Sequence, residues 1–160
     1  MFRIFGSVRA RRAGVIALGA VSAVLLGASV HAQAPAQPSP FLFPGGAGMV
    51  LNFIKPDKAA EWEGILDKVK EGLKASEKPE RKAQAASWKV YKVSEQPVKE
   101  AVLYMWILEG APTDQEYSMT KLMQELFPKE AVDLYKQYSD SYVPPLQQIF
   151  HLTLVKDFNK

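Results

Sequence analysis

Residues 49–57 read Met49-Val50-Leu51-Asn52-Phe53-Ile54-Lys55-Pro56-Asp57. A short apolar run bounded by Gly48 and Pro56 is a strand pattern. Pro56 followed by Asp57 is a helix-start pattern, with Asp57 as the expected N-cap. Trp62, Ile65, Leu66, Val69 and Leu73 then recur at helical spacing, with Lys and Glu on the other face. That spacing predicts an amphipathic helix to about Ala75. A strand feeding directly into such a helix predicts a fold that mixes the two element types.

The rest of the chain extends this pattern. Residues 76–84 are charged, contain Pro79 and read as a loop. Trp88, Val90, Tyr91 and Val93 around Lys89 and Lys92 predict a second strand over 87–93. Residues 101–108 are almost unbroken apolar and predict a third strand, buried on both faces. Thr113-x-x-Glu116 reads as a capping box before Met119, Leu122, Met123, Leu126 and Phe127. Pro128 separates that helix from a second, carried by Ala131, Leu134, Tyr135, Tyr138 and Tyr142 and ended by Pro144-Pro145. Residues 148–156 alternate and predict strand four. The order β-α-β-β-(αα)-β predicts an α+β, ferredoxin-like domain: a four-stranded antiparallel sheet with helices on one face. The other face of strands one and three is too apolar to meet water. A second copy packed sheet to sheet is the expected cover, so a homodimer is predicted.

The first 32 residues carry Arg3, Arg9, Arg11 and Arg12 with no acid, then an apolar run from Ala13 to Val30 and a Val30-His31-Ala32 end. These are the three parts of a secretory signal, cleaved after Ala32. The expected organisation is a signal peptide at 1–32, a Pro/Gly-rich linker at 33–47 and the domain at 48–160. The expected location is exported, periplasmic or secreted. An uncleaved anchor is the competing reading of the same run.

Cleavage changes the charge. Four of the 20 Lys and Arg leave with the signal, so 16 basic residues face 17 acidic ones. Arg81 is then the one arginine remaining, which gives nucleic-acid recognition little to work with. No membrane partner is expected after cleavage. With no cysteine, and one histidine outside the signal, neither a disulfide framework nor a His/Cys metal cluster is expected. Gly45-Gly46-Ala47-Gly48 precedes a strand and is no dinucleotide fingerprint. No cofactor is predicted.

Two polar residues stand out among the apolar strands. If Met49, Leu51 and Phe53 face the helices, Asn52 lies on the covered face. If Phe150, Leu152 and Leu154 also face the helices, His151 joins it, on the neighbouring strand. Asn52 and His151 are therefore the candidate catalytic pair, in a cavity walled by Trp88, Tyr91, Tyr104 and Trp106 as candidate ligand-binding residues. A histidine titrating near neutral pH suits a base, and an asparagine suits orientation of a carbonyl. A hydrogen-bonded structural histidine and a packed aromatic core explain the same residues.

The 49–57 stretch running into Trp62, the strand from Trp88 to Tyr91 and the strand from Leu103 to Glu109 resemble the dimeric α/β-barrel superfamily, which includes antibiotic-biosynthesis-type monooxygenases. The resemblance covers about residues 48–110. It implies a ferredoxin-like dimer and a range of activities, from cofactor-independent oxygenases to haem degradation. Haem-degrading members use an Asn, a Trp and a His; the spacing here differs, and those roles are not carried over. Three functions follow as expectations. The first is an exported binder of a small apolar or aromatic molecule. The second is a monooxygenase-like enzyme using His151 and Asn52, and the third a non-catalytic dimeric module.

Overall fold

The structure is a computed structural model that describes residues 38–95 and 99–159. The expected signal peptide and the start of the linker lie outside the described residues. Strand β1 (Ala47–Ile54) leads through a 3-10 turn (Pro56–Lys58) into helix α1 (Ala59–Ala75). Helix α2 (Pro79–Ser87) and strands β2 (Trp88–Lys92) and β3 (Val102–Glu109) follow. Helices α3 (Met119–Leu126) and α4 (Ala131–Asp140) precede strand β4 (Tyr142–His151). The strands form an open antiparallel sheet in the order β2-β3-β1-β4. The domain is thus α+β, with an element order compatible with the ferredoxin-like expectation.

Several boundaries differ from the sequence reading. Residues 79–87 are helical, not loop. Pro79 sits in the first turn, where its missing N–H costs nothing, and good helix formers follow. Arg81 of α2 pairs with Glu125 of α3, and Lys78 reaches the same carboxylate at 2.8 Å. Asp57 is no cap, because the chain enters α1 through the 3-10 turn without a side-chain cap. Thr113-x-x-Glu116 is no capping box either: α3 begins at Met119, and Glu116 instead accepts from Ser39 and Lys121.

Strand β4 starts six residues early and contains Pro144 and Pro145. It is an edge strand, where a missing N–H is tolerated. Its register also breaks there. Tyr142 lies opposite Ile54 and Gln147 opposite Asn52, so residues 143–146 bulge beside Phe53. Leu146 within the bulge has φ of 70°.

The facing of β1 is the reverse of the expectation. Val50, Asn52 and Ile54 are wholly buried on the helix side, with Trp62, Ile65, Val69 and Leu73 of α1 and with Tyr104, Trp106 and Leu108 of β3. The short Val50 and Ile54 leave room for the indoles of Trp62 and Trp106, and Asn52 finds polar partners there. Strand β3 is buried on that face alone. Leu103, Met105 and Ile107 on its other face stay half-buried, as do Met49 and Leu51.

The last part of the expected linker is packed into the domain. Leu42 bridges to Glu116, and Phe43 is fully buried against Tyr117 and His151, with ring centroids 5.7 and 5.2 Å away.

Candidate functional site

Helix α1 aims Trp62 at the middle of the sheet, where its ring lies 4.5 Å from Tyr104 and 6.5 Å from Trp106 between centroids. Because side chains alternate along β3, Tyr104 and Trp106 share that face. Trp88, at the start of β2, meets Trp106 edge-on at 4.7 Å. Edge strand β2 does not fully close against α1. It leaves a cleft of about 420 Å³, with Leu66, Ala85, Trp88 and Val90 part-exposed on its walls and Trp62 and Tyr104 beneath.

The rim of this cleft is charged. Tyr104 Oη donates to the Glu63 carboxylate, Lys92 Nζ lies 3.4 Å from Glu63, and the same ammonium sits 5.5 Å over the Tyr104 ring. Burial, and then the Glu63 carboxylate, push the Tyr104 phenol well above its ordinary value, so it stays a donor. Among the described residues, the indole nitrogens of Trp88 and Trp106 are buried without a hydrogen-bond acceptor.

A second polar cluster lies at the other end of the core, under the β4 bulge. Tyr142 Oη donates to Asn52 Oδ1 at 2.9 Å and accepts from Trp62 Nε1 at 3.2 Å. Gln147 Nε2 donates to Asn52 Oδ1 at 2.7 Å, and Tyr138 Oη lies 2.5 Å from Tyr142 Oη. Burial raises both phenols above their ordinary value.

The structure divides the sequence-derived candidates. Trp88 and Tyr104 line the cleft. Trp106 is fully buried behind it. Tyr91 projects from the opposite sheet face and is exposed. Asn52 and His151 do share a sheet face, but it is the helix-covered one, and they are not in one cavity. His151 lies opposite Gly48 and Asn52 opposite Gln147, four positions apart along β1, about 13 Å. His151 Nε2 instead lies 3.1 Å from the Pro40 carbonyl and 2.9 Å from that of Leu42. Two acceptor partners require Nε2 to carry the proton, so His151 pins the segment before β1.

Nothing matches. The chain has no counterpart among protein-family models, curated proteins or solved structures. Among the described residues, no group of three or more His, Cys, Asp or Glu is placed to hold a metal, and no helix is long and apolar enough to cross a membrane.

Sequence reasoning missed Trp62, Glu63, Tyr138, Tyr142 and Gln147 as site residues. Trp62 read as one more apolar position of α1, and Tyr138 and Tyr142 as positions on the helical spacing after Pro128. The available signal was local: Trp62, Tyr138 and Tyr142 are polar-tipped aromatics at positions of apolar spacing, and such tips need hydrogen-bond partners when buried.

Proposed function

We propose that this domain binds a small, mainly apolar aromatic molecule in the cleft between α1 and β2, and does so without catalysis. The single observation carrying this reading is the cleft itself: an aromatic floor of Trp62 and Tyr104, the Trp88 wall and a rim of Glu63 and Lys92 with opposed charges. Lys92 on the rim, a donor, favours a ligand bearing a hydrogen-bond acceptor. A catalytic reading has less support, since His151 is engaged by two backbone carbonyls and Asn52 by Tyr142 and Gln147. The arginines and apolar run of residues 1–32 support export before binding.

Titration calorimetry with 2-acetylnaphthalene, a planar ketone, tests the reading. We expect saturable binding that Trp88→Ala weakens at least tenfold and His151→Ala leaves within twofold. Equal loss in both variants, or no binding to the wild type, would sink it.

The oligomer is a separate proposal. The order β4-β1-β3-β2 supports a ferredoxin-like sheet, and its uncovered face presents Met49, Leu51, Leu103, Met105 and Ile107 half-exposed beside Phe150. A second copy laid sheet to sheet covers this patch. Light scattering is expected to give a dimer for the wild type and a monomer for Met105→Glu. A monomeric wild type would overturn the dimer and the dimeric-barrel resemblance, and would leave the cleft unaffected.

A further inference from the structure

We propose that the hollow under the β4 bulge is a second binding site, built for an uncharged ring that carries a hydroxyl or carbonyl group. The hollow is about 280 Å³ and is bounded by Phe41, Thr120, Tyr135, Tyr138, Tyr142 and Gln147, among others. It is distinct from the α1/β2 cleft and shares no lining residue with it.

Its charge character sets the ligand class. No lining residue is charged. An ionic group seated against this wall would lose water and find nothing of opposite sign to meet it, which disfavours it relative to a neutral one. Phe41, Met119, Tyr135 and Leu146 offer flat and flexible apolar surface instead. The polar end is the cluster of Tyr138, Tyr142, Asn52 and Gln147.

That cluster can switch between donor and acceptor. Tyr142 Oη lies within bonding distance of both Asn52 Oδ1 and Tyr138 Oη, but it has one proton. With that proton on Asn52, Tyr138 donates to Tyr142 and turns a lone pair toward the hollow, ready for a ligand hydroxyl. With it on Tyr138, the Tyr138 proton is released toward the hollow, ready for a ligand carbonyl. Asn52 Oδ1 keeps the Gln147 amide in either state, at 2.7 Å. Both phenols are nearly fully buried, so the exchange runs between hydrogen bonds inside the cluster.

The backbone is shaped to build this end. The bulge of residues 143–146 opposite Phe53 and a left-handed Leu146 bring Gln147 back into register with its amide on Asn52 and both phenols. A β-branched-free leucine at positive φ is a strained choice that persists where the surroundings demand it.

The test uses the three indole N–H resonances of the purified protein. Trp62 Nε1–H donates to Tyr142 while its ring floors the other cleft, so its signal locates a ligand in this hollow only when that of Trp88, which lines the other cleft alone, stays in place. Phenol is expected to shift the Trp62 signal saturably and leave that of Trp88 in place. Toluene and benzoate are expected to bind at least tenfold more weakly. Tyr138→Phe is expected to lose at least fivefold in phenol affinity with its spectrum otherwise native. Should Tyr138→Phe fail to fold, Thr120→Val at the wall is expected to lose affinity in the same sense. A saturable shift confined to Trp88, toluene binding as well as phenol, or no saturable shift would overturn the proposal.

Discussion

The ring of Phe43 occupies the space where a side chain at residue 48 would begin. A Cβ placed on Gly48 would lie 2.1 Å from Phe43 Cδ1 and 2.2 Å from Cε1. Phe43 is itself fully buried and held between Tyr117 and His151, so the ring has no exit. Glycine is therefore required inside β1 by close approach, not by dihedral angle.

Gly48→Ala is expected to cost about 2 kcal/mol through overpacking. Denaturant unfolding measures it. Adding Phe43→Leu to Gly48→Ala should recover part of the loss, because the two positions are coupled. Strict additivity in that cycle would mean the ring is not what excludes the methyl group.

Leu146 reverses a familiar order of stabilities. At ordinary strand dihedrals alanine is the more stabilising replacement, since glycine carries the larger entropy loss on folding. At φ of 70° the methyl group itself is strained. Leu146→Gly should therefore be more stable than Leu146→Ala by about 1 kcal/mol, a few degrees in Tm. Alanine above glycine in a thermal scan would show that the bulge relaxes when the leucine is removed.

Tyr104, Tyr117, Tyr138 and Tyr142 are all buried, and burial raises each phenol above its ordinary value. A proton held more tightly in the folded state gives a contribution kept in full below the unfolded value near 10 and lost as pH rises beyond it. Stability should fall steeply above about pH 10, and phenolate absorbance from these four should appear together with loss of the helical signal. Full ionisation with the fold intact would contradict the buried placement.

Glu125 gives the opposite sign. The hydrogen bonds from Arg81, then Lys78, hold its carboxyl below the usual value. Its contribution is present above the unfolded value near 4.5 and is lost as pH falls through the lower folded value. Glu125→Gln should cost about 1 kcal/mol at pH 7, and the gap should close toward pH 3. A gap independent of pH would mean that packing, rather than charge, docks α2 on α3.

Most of the architecture was legible where apolar period and length agreed, as in β1, α1, β2 and β3. Helix α2 was hidden because its buried residues are Gln84 and Ser87, which read as solvent-facing. Strand β4 was displaced because Pro144 and Pro145 signal a break, and only pairing to β1 turns that break into a bulge. The same bulge explains the partial view of the sites. Trp88 and Tyr104 alternate regularly on their strands, so their grouping was legible, but Tyr91 was joined to them against the period of two and the group was assigned to the face away from the helices. The meeting of Asn52, Tyr142 and Gln147 depends on four looped-out residues, which a period of two cannot anticipate.

One indole stands between the two hollows. Trp62 floors the α1/β2 cleft with its ring and donates its N–H to Tyr142 at the wall of the other. An occupant that shifts that ring must stretch a hydrogen bond belonging to its neighbour. Whatever penalty or advantage the first guest imposes on the second, the second returns in equal measure to the first. Two molecules that never touch would thus regulate each other's retention through a single shared side chain.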